Sequence, residues 1–361
     1  MTTFISLILR RAAAVVAPAL TLTVGLITAT PASAQIVRSA SGANVASIQA
    51  AVDQFRADLG GLNNGNTPGS QASGRREINW DGGGAAALAT QFAVPMTTFG
   101  NRGAVFTTPG SGFEVSGAPT PEFGDLNASY PNLFAAFSAP RLFAPLNSNV
   151  TEVRFTVPGN TAVPAAVTGF GAVFTDVDTA TSTKMEFYAP DGALLHEAFV
   201  AATSGSESQS FLGVSFPAGE VVARVRIISG NAALGPNESG TLDLVVMDDF
   251  IYGEPVSTNG LIIAPFTGLL FREGAFDIVV RLETNLDIIA GQVRLNGTTV
   301  TGPFASSVRD ANRGNGVNLF HCPAPRGLLP VGNQVFQVEF TLSDQTRVRN
   351  AVRWTIENSH Q

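Results

Sequence analysis

Between residues 42 and 60 the apolar positions repeat at helical spacing. Ile48, Val52, Phe55 and Leu59 fall at i, i+4, i+7 and i+11, one stripe of a 3.6-residue period, and Gly60-Gly61 stops it. Residues 63–74 are largely Asn, Gly, Ser and Pro and read as a linker. Beyond them the period changes to two: Val153, Phe155 and Val157 alternate with Glu152, Arg154 and Thr156, and Val225 and Ile227 with Arg224 and Arg226. Further strands are expected at 104–108, 112–116, 167–175, 184–189, 194–200, 211–216 and 244–252. Turns such as Thr108-Pro109-Gly110 and Pro190-Asp191-Gly192 punctuate them. Short strands with no interleaved helices predict an antiparallel sandwich, and the span 75–255 suits a jelly roll.

A second β unit is expected over 256–361, after a short hinge at 257–260. Its strands are 276–283, a hairpin over 293–300 turning at Asn296-Gly297, 317–322, and a hairpin over 335–356 around Ser343-Asp344-Gln345. This spacing suits an Ig-like sandwich. The single cysteine, Cys322, cannot form an internal disulfide and is expected as a small buried apolar side chain. Trp354 alternates with Val352 and Ile356 and is expected in the core. The fold class is therefore all-β: a jelly-roll β-sandwich, then an Ig-like β-sandwich, with one short N-terminal helix. That helix lacks a Lys/Arg cluster on its polar face, so it is expected to dock on the following domain instead of a membrane surface.

Residues 1–34 read as a secretory signal. Arg10 and Arg11 precede an apolar run, and Ala32-Ser33-Ala34 fits a small-residue cleavage site. An uncleaved anchor is the rival, because the apolar run approaches a membrane span; Pro18, Pro31 and the Ala-x-Ala ending favour processing. No cysteine lies near the junction for lipid attachment. The expectation is a secreted, extracellular or cell-surface protein with no stable membrane insertion after cleavage. No apolar anchor follows Trp354, so release or non-covalent retention is expected. Residues 35–74 then hold the helix and linker. Charged residues are only 14% of the chain while apolar residues are 45%, which excludes a charged disordered chain and a Glu/Lys-rich bundle. The net charge is −7 and Lys184 is the single lysine, so there is no basic footprint for nucleic acid.

The runs Gly74-Arg-Arg-Glu-Ile-Asn-Trp-Asp-Gly82, Gly169-Phe-Gly-Ala-Val-Phe-Thr-Asp-Val-Asp178, Ser210-Phe-Leu-Gly-Val-Ser-Phe216 and Val246-Met-Asp-Asp-Phe-Ile-Tyr-Gly-Glu-Pro255 carry a resemblance. Together they resemble a family of uncharacterised secreted bacterial β-sandwich proteins over roughly residues 45–255, a likeness that implies no activity. More loosely, the Asp-Asp pair in the last jelly-roll strand is similar to the end of several carbohydrate-binding modules. There an acidic residue helps to hold a structural calcium.

Asp248-Asp249 is the main anomaly of the apolar pattern. In an unbroken strand over 244–252 the two residues point to opposite faces, so one carboxylate lands on an apolar face whichever way the strand lies. Buried unpaired it would cost several kcal/mol; it needs backbone amides, an arginine or a cation. Asp176 and Asp178 after the strand 167–175, and Asp81, offer further oxygens, and oxygen ligands without His or Cys suit Ca²⁺. Turn capping is the alternative for Asp176 and Asp178. Asp81, Asp176, Asp178, Asp248 and Asp249 are thus the candidate metal ligands.

No catalytic residues stand out. His196 sits in a strand-like run, His321 in the second unit and His360 beside the C-terminal residue, and no Gly-x-Ser-x-Gly elbow accompanies them. Gly169-Phe170-Gly171 has no following helix or lysine and reads as close strand packing, not as a phosphate loop. Of the aromatic residues 25 are Phe, so flat amphipathic faces for sugars are few: Trp80, Tyr130 and Tyr188 are the candidate ligand contacts. Trp80, beside Asp81 and three glycines, is the best platform, with a core position as its alternative. The expected function is a non-enzymatic binding protein with a glycan or cell-surface polymer as partner and calcium as structural ion. A structural or adhesive module recognising protein is the alternative, and a glycoside-active enzyme the third.

Overall fold

The helical stripe becomes the buried side of a 14-residue helix, Val45–Asp58, whose Ile48, Val52 and Phe55 face inward. Asn44 caps its start, its side chain accepting the Ser47 amide hydrogen at 3.2 Å. The helix lies on Val173, Phe211 and Ile251 of the neighbouring sheet. It approaches closely because Gly171 and Gly213 carry no side chain: a Cβ on either would sit 2.7 Å from the Phe55 ring. Gly171, expected to serve close packing of strands, thus admits a helix as well, and Gly213 does the same beside it. The computed structural model describes residues 35–236, 242–271, 276–299, 308–310, 316–324 and 329–358. The expected leader and His360 lie outside them, as do the side chains of His321 and Cys322.

A strand that the alternation did not reveal, Ile36–Gly42, precedes the helix and pairs antiparallel with Gln209–Ser215. It opens an eight-stranded sheet that continues through Gly169–Thr175, Val246–Gly253, Phe143–Leu146, Gly112–Val115 and Thr90–Phe92, with Arg75–Ile78 also paired to Val246–Gly253. The facing sheet runs through Leu194–Phe199, Lys184–Tyr188, Arg224–Ile228, Val150–Val157 and Asn160–Ala166. From Gly169 to Gly253 the chain passes back and forth between the two sheets, with one hairpin, Lys184–Tyr188 to Leu194–Phe199, kept within the second; this is the jelly-roll pattern. Trp80, Phe106, Phe170, Phe187 and Phe250 fill the space between them.

The second sheet does not end there. Val256–Ser257 pairs with Ala165–Ala166 on one side and, at Ser257, with Val348 on the other, so the sheet passes into Arg347–Glu357, Gly332–Leu342 and Ile288–Leu295. A four-stranded sheet that includes Leu261–Ala264 and Phe276–Glu283 packs on this part as the second sandwich. Trp354 is buried in its core and donates from Nε1 to the Pro265 carbonyl at 3.1 Å. The turn at Asn296-Gly297 has φ of 51° and 76°, the left-handed pair of a type I′ hairpin.

Two connections are tighter than their composition suggests. The segment expected as a hinge is partly a strand, because its backbone groups are used by the sheet on both sides. The segment expected as a linker is tied to a buried ion pair. Arg76 donates to Glu254 at 2.7 and 2.9 Å and also to the carbonyls of Gly65 and Gly69, while Glu254 accepts from the Gln71 amide and the Asn64 side chain.

Candidate binding groove and the aspartates behind it

Asp248 and Asp249 stand at a β-bulge. Met247 pairs with Phe174 and Phe250 with Ala172, so two residues oppose Val173 alone. The bulge breaks the alternation, and both carboxylates reach the same hydroxyl, Ser138 Oγ, at 3.3 Å from Asp248 Oδ1 and 2.6 Å from Asp249 Oδ1. The expectation of one carboxylate per face is corrected accordingly. Asp248 Oδ2 also accepts the backbone amides of Phe137 and Ser138 at 2.7 and 3.0 Å. Asp249 Oδ2 faces the Arg56 guanidinium at 3.3 Å. Burial pushes the Asp248 carboxyl well above its ordinary pKa, with Asp249 adding to the rise and the amides of Ser138 and Phe137 opposing it. Asp249 is raised by burial too, against the Ser138 hydroxyl and Arg56.

These bonds fix residues 135–141, a segment without regular structure. Asp81 joins them, accepting from Asn79 at 2.8 Å, from Ser138 Oγ at 3.3 Å and from the Arg141 amide at 3.2 Å. The Arg141 guanidinium is buried and donates to the carbonyls of Ser116, Gly82, Leu88 and Val115, which ties the wall to the 82–88 loop and the strand Gly112–Val115. Ala135 is held at both backbone atoms, donating to Thr175 Oγ1 and accepting from Gln209 Nε2.

The fixed segment forms one side of a groove of about 540 Å³. Its surface is mostly apolar, from Pro119, Pro121, Pro131, Pro140, Phe134 and Ala135, and it carries two carboxylates, Glu122 and Glu207. Burial raises the Glu122 pKa, and the charge of Glu207 raises it further. Both glutamates have left-handed backbones, φ 51° and 64°, a conformation costly for residues with a Cβ that is often held at functional sites. Nothing in the sequence pattern distinguishes them from turn glutamates.

The residues singled out from the sequence are placed differently. Trp80 is a core residue, 3% exposed, stacked on Phe143 at 3.9 Å and bonded through Nε1 to the Asp248 carbonyl at 3.1 Å. Its ring faces are used by the core, so it offers no platform. Tyr130 is likewise buried, its hydroxyl bonded to the Gly235 backbone. Tyr188 is half-buried on the other sheet; Arg224 covers its ring at 3.8 Å and its hydroxyl donates to Glu186 at 2.7 Å. It does not line the groove. His196 is half-buried in the strand Leu194–Phe199, and its pKa is lowered by burial and then by Arg353.

The five aspartates do not converge. Asp81, Asp248 and Asp249 surround Ser138, whereas Asp176 has Asp178 and Asp243 as its charged neighbours. Around Ser138 the outer oxygens, Asp81 Oδ1, Asp248 Oδ2 and Asp249 Oδ2, meet N–H and guanidinium donors, while Asp81 Oδ2, Asp248 Oδ1 and Asp249 Oδ1 converge on the hydroxyl. In the other set Asp243 accepts the amides of Asp178 and Thr179, both at 3.1 Å, and Asp178 accepts the Gly205 amide at 2.9 Å, bonds that join loops distant in sequence. Asp176 Oδ1 is buried without a hydrogen-bond partner, and burial followed by the charges of Asp178 and Asp243 pushes its pKa up to about 7, where a proton can occupy the oxygen instead. Among the described residues no group of three or more His, Cys, Asp or Glu side chains is arranged to hold a metal ion.

No helix among the described residues is long and apolar enough to cross a membrane. No protein-family model matches the sequence, and no curated protein matches it. Among solved structures the chain is similar to CopC from Methylosinus trichosporium OB3b at 15% identity, over 28% of this chain and 95% of that one, with a TM-score of 0.21. It is also similar to the fibronectin(III)-like modules of Clostridium thermocellum CbhA at 12% identity, over 60% and 90%, with a TM-score of 0.20. A third likeness is to the M60 catalytic domain with CBM51 domains of Clostridium perfringens ZmpB, at 10% identity over 75% and 28%, with a TM-score of 0.16. Scores this low carry no argument about function.

Proposed function

We propose that this protein is a non-enzymatic binding module that takes a stretch of carbohydrate polymer in the groove between Glu122 and Glu207. The observation that carries the reading is the groove: about 540 Å³, a size suited to a small ligand or one or two sugar units, with apolar walls and two carboxylates. Carboxylates accept hydrogen bonds from sugar hydroxyls, and proline and alanine surfaces suit the apolar edges of a ring. The anchoring of residues 135–141 supports it further, since a wall that is already ordered loses little entropy on binding. The leader expected from the sequence is consistent with a polymer met outside the cell.

The alternative is a structural or adhesive module that recognises protein, and the burial of Trp80 favours it, because sugar sites commonly use an exposed aromatic face. The neighbouring carboxylates also keep a glycoside-active enzyme as a third reading, since glycoside hydrolysis needs two carboxylates and little else. One experiment separates the three. A glycan array with the wild type, followed by calorimetry on Glu122→Gln and Glu207→Gln, is expected to show binding reduced about tenfold or more by either change, ~1.4 kcal/mol, with no release of reducing ends. Release of reducing ends would make it an enzyme. Absence of glycan binding would favour the protein-recognising reading, and glycan binding indifferent to both substitutions would contradict the groove as its site.

A further inference from the structure

A second cavity, of about 240 Å³, lies where the two sandwiches meet, and its chemistry is opposite in sign to that of the groove. Three arginines line it: Arg294 from Ile288–Leu295, and Arg347 and Arg349 from Arg347–Glu357. The carboxylates on its wall are Glu339 and Glu254, and Glu254 is committed to Arg76 on the side of the first sandwich. Glu339 is therefore left to balance three guanidinium groups. It accepts from Arg347 Nε at 2.8 Å and lies 2.9 Å from Arg349 Nε. Arg347 also donates from Nη2 to Glu339 at 2.5 Å, and from Nη1 to the carbonyls of Gln71 and Ala72.

That distribution leaves Arg349, whose buried Nε has no hydrogen-bond partner, and Arg294 lining a cavity with more guanidinium groups than free carboxylates, in a chain whose net charge is −7. The Arg349 side chain is only 11% exposed, so water screens it poorly. Burial lowers its pKa; Glu339 opposes this, and the charges of Arg347 and Arg294 lower it further. Ser73 and Thr168 add hydroxyls to the wall. Guanidinium groups match the oxygens of sulfate, phosphate and carboxylate in geometry and charge.

We propose that this cavity binds a single oxyanion group, a sulfate, phosphate or carboxylate, between Arg294 and Arg349. The group is either a free ion or a substituent on an acidic polysaccharide. Bound there, it offsets the surplus charge at the junction of the sandwiches and stabilises the folded state by mass action.

The test is a thermal melt and a calorimetric titration of the full chain with sodium phosphate and sodium sulfate, against sodium chloride at matched ionic strength. Dextran sulfate and unsubstituted dextran form the polymer arm. The proposal expects a saturable rise in Tm and a measurable heat with phosphate or sulfate. Both are expected to fall about tenfold in apparent affinity in Arg294→Gln, a half-buried position that leaves the Glu339 pairs intact. A general salting effect would raise Tm without saturation and equally in the variant, and that result, or no heat in the wild type, overturns the proposal. Tighter binding of dextran sulfate than of free sulfate, without binding of dextran, identifies the polymer as the source; equal affinity identifies the free ion.

Discussion

The Ser138 hydroxyl lies 2.6 Å from Asp249 Oδ1 while its own backbone amide donates to Asp248 Oδ2 at 3.0 Å, so one residue of an irregular segment engages both members of a buried acidic pair. The pair holds the groove wall in place, a task the sequence pattern left open between protein donors and a metal ion. Ser138→Ala removes the hydroxyl that Asp249 uses and is expected to destabilise the protein by about 1–3 kcal/mol. Asp248→Ala orphans two amides at once and is expected to cost more. Urea denaturation measures both. Because protein donors occupy these oxygens, millimolar Ca²⁺ or a chelator is expected to leave the melting temperature of the wild type unchanged.

Trp80 is placed as core packing, so Trp80→Ala is expected to cost about 3–5 kcal/mol in stability. The indole emission of the folded protein should be that of a buried ring. A saturating glycan should leave the Trp80 contribution unchanged; with Trp354→Phe as background, a large ligand-induced change would contradict the placement.

Glu254→Ala leaves Arg76 charged, buried and unpaired, a change expected to cost about 3–5 kcal/mol. It also frees the Gln71 amide and leaves Asn64 Nδ2 with the Ser73 carbonyl alone. Limited proteolysis should therefore cut within residues 63–74 in the variant before it cuts in the wild type.

Asp176 and Glu220 predict how stability varies with pH. Burial is the leading cause of both shifts, and each carboxyl is raised to about 7. A carboxyl raised above its unfolded value favours the folded state fully below the unfolded pKa of roughly 4. That advantage is lost as pH rises through the folded value near 7. Melting temperature should thus fall between about pH 4 and pH 8 through these two groups. Asp176→Asn and Glu220→Gln should each flatten part of that slope; Asn also tolerates the left-handed backbone at position 176.

Much of the fold was legible because it rests on periodicity. The Ile48, Val52, Phe55 stripe, the period-two strands, the Asn296-Gly297 turn and the core position of Trp354 all follow from which positions must avoid water. The site was less legible, for identifiable reasons. A bulge at Asp248-Asp249 changes side-chain direction without changing composition. Ser138 and Arg141 act through contacts distant in sequence, and their neighbours Ala139 and Pro140 suggest only a loop. Asn, Gly and Ser between 63 and 74 looked like a linker because the carbonyls that Arg76 binds leave no trace in side-chain identity. The charge on the candidate groove, Glu122 and Glu207, comes from two turns that lie far apart along the chain and meet only in the folded protein.

Affinity electrophoresis of the wild type, Glu122→Gln and Glu207→Gln through gels cast with neutral polysaccharides, including glucans, xylan and mannan, tests the groove assignment most directly. The account predicts that at least one polymer retards the wild type and that both substitutions abolish the retardation at unchanged melting temperature. No retardation by any polymer, or retardation preserved in both variants, would contradict it.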